Sequence, residues 1–152
     1  MGYFGFILII LIIIILASMI ILTKGIKFID TFVVIMTALM ALSFDMIYCK
    51  QLATYHYVSY DNSGINSLIV GLLVFPSIWI IFISYKPKSK VNTILYILLW
   101  SMILTVLEIY VTKPYNIVLY PKWEIIPWSP IVYVLSFVLL LGYRNFIYKK
   151  IN

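Results

Sequence analysis

Five apolar runs, each close to the length of a bilayer-crossing helix, constrain this chain more than any other feature. They cover residues 3–23, 29–48, 65–85, 91–111 and 128–147. The first carries no charge, the second holds Asp45, the third Pro76 and the fourth Glu108. Backbone groups inside hydrocarbon must find their hydrogen bonds within the segment, and runs of this length without period-two alternation do so as helices rather than barrel strands. The expected fold is therefore an all-α integral membrane protein, a bundle of five transmembrane helices in a single domain over residues 1–152. Composition agrees: 64% of residues are hydrophobic and 11% charged. A soluble domain of this size still exposes about 30% of its unfolded-chain surface and has too few polar residues here to cover it. That excludes a soluble globular enzyme, a disordered tail and a disulfide scaffold. The first run has no basic segment before it and no small-residue cleavage site, so it is expected to be a retained helix.

Orientation follows from the basic residues. With the N-terminus outside and the C-terminus inside, the inner segments hold Lys24, Lys27, Lys86, Lys88, Lys90, Arg144, Lys149 and Lys150. The outer ones hold Lys50, Lys113 and Lys122. The acids lean the other way: Asp61 and Glu124 fall in outer loops, Asp45 and Glu108 in the outer third of their helices, and Asp30 alone near the inner face. The net charge of +6 thus reads as a topology signal and an attraction to anionic inner-leaflet lipid, and nucleic acid is not expected as a partner. Lone Cys49 cannot form an internal disulfide. With lone His56 it is too small a set for a Cys/His metal site, so no metal and no cofactor are expected.

Two inner connections are short, Lys24 to Lys27 and Lys86 to Lys90, and the first predicts that helices one and two pack as an antiparallel hairpin. The outer connections are longer. Residues 49–64 carry Tyr55, His56, Tyr57, Tyr60 and Asp61; residues 112–127 carry Tyr115, Tyr120, Trp123 and three prolines, with Trp128 just beyond. Tyr and Trp favour the headgroup level, so an interfacial belt explains these aromatics; a pre-formed rim over an outer-face site is the sharper alternative.

Polar residues inside the spans single out candidates. Glu108 shares one helical face with Ser101, Thr105 and Thr112, at spacings of four, three and four. In the fifth helix Ser129, Tyr133, Ser136 and Tyr143 form a second polar stripe, a plausible partner for the first. An intramembrane carboxylate is expensive and faces protein or water. Glu108 is thus either a packing bond between helices or a proton, cation or catalytic site. Asp45 shares a face with Ala38 and Ala41, lies at a depth comparable to Glu108, and if the two meet one must hold a proton because like charges repel. Ser67 and Gly71 form a small-residue edge suited to close helix packing, and Pro76 is a candidate kink.

Residues 85–148 show an ordered pattern: Tyr85-Lys-Pro-Lys-Ser-Lys90, a helix ending Leu107-Glu108, then Tyr115, Tyr120-Pro-Lys-Trp123, Trp128 and a helix closing on Tyr143-Arg-Asn-Phe146. This resembles an uncharacterised family of small multi-pass membrane proteins from spore-forming bacilli and clostridia. The resemblance implies a cytoplasmic-membrane location, raises interest in Glu108, Tyr115, Tyr120 and Trp123, and hints at a sporulation or germination setting. It supplies no reaction.

No catalytic motif accompanies the several helix-packing faces. The leading expectation is therefore a non-enzymatic subunit or partner of a membrane assembly, bound to lipid and to another membrane protein or a second copy of itself. A proton- or cation-coupled transporter or channel using Glu108 is the alternative, followed by a membrane enzyme acting on lipid or wall precursors at the outer face.

Overall fold

Among the described residues, five helices are long and apolar enough to cross a membrane: α1 (Gly2–Lys24), α2 (Phe28–Gln51), α3 (Ile65–Ser84), α4 (Lys90–Thr112) and α5 (Ile125–Ile151). This computed structural model describes residues 2–58 and 64–151; Tyr60 and Asp61 of the first long loop lie outside them. The N-terminus and both long connections gather at one end of the bundle, here the loop end. The short connections and the C-terminus form the turn end.

Three helices change winding in their loop-end halves. Met46–Gln51 of α2, Val70–Val74 of α3 and Glu108–Thr112 of α4 are π-helical turns. In α3 the cause is readable: Phe75 donates to the carbonyl of Val70, five residues back, and Pro76 beside it has no N–H to restore the ordinary ladder. The π turn carries α2 beyond Tyr48 to Gln51. Helix α5 starts earlier than position 128, with a break at Ile126 (φ −106°, ψ 125°), where the adjoining Pro127 disfavours helical backbone. It also continues past Ile147, with Lys149 and Lys150 in its last turn beside the negative end of the helix dipole.

The packing corrects one expectation. Helices α1 and α2 are consecutive but do not form a tight hairpin; the main neighbour of α1 is α3, which also packs along α2. The small-residue edge of α3 decides this. Gly71 lies so close to α2 that an added Cβ would come within 2.6 Å of Leu42 Cδ2, and Ser67 is buried beside it. Helix α5 then packs on α2, and α4 on α5. At the centre, Val33 of α2, Trp79 and Phe82 of α3, Ile97 of α4 and Phe137 of α5 form one buried cluster, with the rings of Phe82 and Phe137 stacked at 4.3 Å.

Both ends are tied. At the turn end, Arg144 Nε of α5 meets Asp30 Oδ1 of α2 at 2.5 Å, and Lys24 Nζ sits 3.5 Å over the ring of Tyr85. At the loop end the two long connections pair as a short antiparallel ladder, β1 (His56–Tyr57) on β2 (Val118–Leu119), with His56 opposite Leu119 and Tyr57 opposite Val118. Val58 N–H donates to the carbonyl of Ile117 and Lys122 N–H to that of Thr54, extending the contact on both sides.

Candidate functional site: a carboxylate–tyrosine cavity in the loop-end half

Asp45 and Glu108 occupy the same place in their helices: Asp45 is the last residue before the π turn of α2, and Glu108 the first residue of the π turn of α4. A π turn shifts the angular position of the residues after it, and such turns recur where a side chain is re-aimed. Each carboxylate is the acceptor for a set of hydroxyls. Asp45 Oδ1 accepts from Tyr55, and Tyr57 Oη is shared between Asp45 Oδ1 at 3.1 Å and Oδ2 at 3.2 Å. Glu108 Oε1 accepts from Tyr133, and Oε2 from Ser129 Oγ at 2.5 Å. Ser129 Oγ in turn accepts from the indole Nε1 of Trp123 at 3.0 Å.

The ladder of β1 explains how Asp45 acquires two tyrosines. Side chains alternate along a strand, so Tyr55 and Tyr57 fall on one side and His56 on the other. His56 Nδ1 faces Cys49 Sγ at 4.0 Å. Burial pushes both tyrosine hydroxyls above their usual range, and the charge of Asp45 adds to that, so both remain proton donors at neutral pH. Tyr120 is pushed up by burial and then by the charge of Glu108. Its hydroxyl lies 3.1 Å from Thr112 Oγ1. Thr112 directs its own single proton to the backbone oxygen of Glu108 at 3.1 Å, so Tyr120 is the donor of that pair. His56, pushed down by burial and by Lys50, is neutral at pH 7.

Both carboxylates line one partly enclosed cavity of about 530 Å³. They do not hydrogen-bond each other in the described residues; each is held by its own set of hydroxyls. The polar groups crowd the loop end. The rest is mostly apolar, walled by Ile9, Ile13 and Leu16 of α1, Met40 of α2, Val74 of α3 and Leu140 of α5, with Thr37 and Ser136 among them. From Phe6 to Leu16 the α1 wall runs about 15 Å along the helix axis, at 1.5 Å per residue. Around Trp123 the rings of Phe44, Tyr48 and Tyr55 stand nearly edge-on at 6.0, 5.5 and 6.0 Å.

The other sequence candidates divide. Thr112, Tyr120, Trp123, Ser129, Tyr133 and Ser136 join the cavity, so the polar stripes of α4 and α5 do meet. Ser101 and Thr105 do not line it: each is buried and hydrogen-bonded to the carbonyl one turn back, at 2.9 and 2.8 Å. Tyr115 and Trp128 stand outside it, more than half exposed, as interfacial aromatics do. Tyr55 and Tyr57 were not among the candidates, although the Tyr-His-Tyr alternation carried the signal. Trp79 was likewise missed; it lines the cavity, and its buried Nε1 has no hydrogen-bond partner in the described residues. No group of three or more His, Cys, Asp or Glu in the described residues is arranged to hold a metal ion. No protein-family model, curated protein or solved structure matches this chain.

Proposed function

We propose that the chain is a small non-enzymatic membrane protein that holds an amphipathic molecule in this cavity and acts as a partner in a membrane assembly. The observation that supports this reading is the cavity's polarity gradient: carboxylates and tyrosines at one end, an apolar trough behind them. Ligand sites are concave, mostly apolar and carry a few convergent polar groups that orient the ligand. A lipid-like molecule satisfies both parts, its head beneath the loop ladder and its tail along α1. In this reading the loop end faces outside and the C-terminus lies in the cytosol, as the basic residues of the turn end favour. A sporulation or germination setting belongs to it only through the resemblance carried by residues 85–148.

Native mass spectrometry of the protein released from nonionic micelles tests the reading. A bound amphiphile adduct is expected, and Ala41→Phe, which fills part of the cavity wall, is expected to lose it. A bare wild-type mass in every charge state overturns the proposal. A second reading, transport of a proton or cation, draws on the hydrogen-bonded run from Trp123 through Ser129 to Glu108 and Tyr133. Liposomes carrying Glu108→Gln then lose flux; equal flux in the variant rejects it.

A further inference from the structure

The direction of the hydrogen bonds defines what the cavity accepts. At its polar end the donors are already committed to acceptors within the protein. Tyr55 and Tyr57 donate to Asp45, Tyr133 and Ser129 to Glu108, Trp123 to Ser129, and Tyr120 to Thr112. All of these chains end on oxygen. Each carboxylate has about four lone-pair sites and uses only part of them, so the unfilled capacity at this end is acceptor capacity. No lysine or arginine in the described residues lines the cavity, so its two carboxylates have no basic partner in the wall. Phe44, Tyr55 and Trp123 add aromatic rings to the same lining.

We infer that the occupant is a cationic amphiphile: an ammonium head seated between Asp45 and Glu108 under the tyrosine–tryptophan rings, with its hydrocarbon tail along α1. This rests on the amphiphile reading above and adds the sign of the head. Phosphate or carboxylate heads meet two carboxylates with no basic partner in the wall, and are disfavoured. An ammonium, quaternary or not, meets the carboxylates with opposite charge and sits favourably over aromatic rings. Trp79 gives a second, independent pointer to an occupant. Its indole N–H is buried in the wall without a partner, a cost relieved when an acceptor along the ligand's body reaches it.

The test uses the whole protein in maltoside micelles, read by intrinsic tryptophan fluorescence, since Trp79 and Trp123 line the cavity. The probes are dodecyltrimethylammonium, dodecyl sulfate, an uncharged dodecyl glycerol ether, and tetramethylammonium without a tail. Dodecyltrimethylammonium is expected to saturate at a concentration at least about tenfold below the sulfate and the ether, the scale of a desolvated cation–π and charge contribution. Asp45→Asn combined with Glu108→Gln is expected to abolish that preference while the ether still binds. The probe series on the unaltered protein stands by itself if the double variant does not fold. Equal binding of the three dodecyl compounds, or tighter binding of the sulfate, overturns the cationic head and leaves the amphiphile reading intact. Tetramethylammonium binding as tightly as its dodecyl analogue overturns the tail, and with it the amphiphile. Absence of any saturable response overturns both.

Discussion

At the residue scale, each cavity carboxylate is stabilised by hydroxyls from other segments of the chain. Removing one such donor leaves an acceptor short in a low-dielectric site, a loss of about 1–3 kcal/mol. Tyr55→Phe and Tyr133→Phe are therefore expected to lower the unfolding temperature in micelles, whereas exposed Tyr115→Phe stays within about 0.5 kcal/mol of the parent. An effect at Tyr115 as large as at Tyr55 contradicts the assignment. The same tyrosines set a pH dependence. Burial raises the folded values of Tyr55 and Tyr57 above the unfolded value of 10.0, so the folded state keeps protons that the unfolded state loses. Their contribution is complete below pH 10.0 and declines above it, with a slope of up to about 1.4 kcal/mol per pH unit for each group. Thermal scans on the alkaline side should show this fall, and Tyr57→Phe should make it shallower.

At the scale of elements, the contact between α2 and α3 decides the arrangement, and glycine decides the contact. Gly71→Ala forces a Cβ against Leu42 at 2.6 Å, which costs about 1–3 kcal/mol by overpacking. Gly142 of α5 has nothing within 4 Å of the equivalent position. Gly142→Ala is thus expected to be neutral or to stabilise by about 0.5–1 kcal/mol through helix propensity. Chemical or thermal unfolding of the two variants checks the contrast; equal effects contradict the close approach. The three π turns belong to this scale too. They lie in the loop-end halves of α2, α3 and α4, and two of them begin at or directly after a cavity carboxylate. Apolar periodicity locates a helix but not a winding defect inside it. The α3 turn was signalled by Pro76, while those at Asp45 and Glu108 carry no proline and no comparable mark.

For the whole molecule, the ion pair of Asp30 and Arg144 joins α2 to α5 across 114 residues of sequence, at the end opposite the cavity. Breaking one partner of a largely buried pair leaves an uncompensated charge, at a cost of about 3–5 kcal/mol. Arg144→Met should therefore destabilise more than Asp30→Asn and Arg144→Met together. A double-mutant cycle in micelles measures this coupling, and purely additive losses contradict it. The helix acids divide between the two ends of the bundle. Asp45 and Glu108 share a cavity without touching, and the turn-end acid is paired with a base.

The number of helices, their approximate ends and the polar stripes of α4 and α5 were legible in the chain alone. Hydrophobic runs and helical spacing are local properties, and a lipid-compatible segment leaves the backbone no other way to satisfy itself. Tertiary structure alone decided that α3 lies against both α1 and α2, that the two long connections pair as strands, and that Tyr55 and Tyr57 reach Asp45. Those outcomes depend on shape and on the direction of individual hydrogen bonds between segments. Inside a bilayer hydrophobicity does not rank one helix neighbour above another, so a glycine, a hydroxyl or a strand register makes the choice.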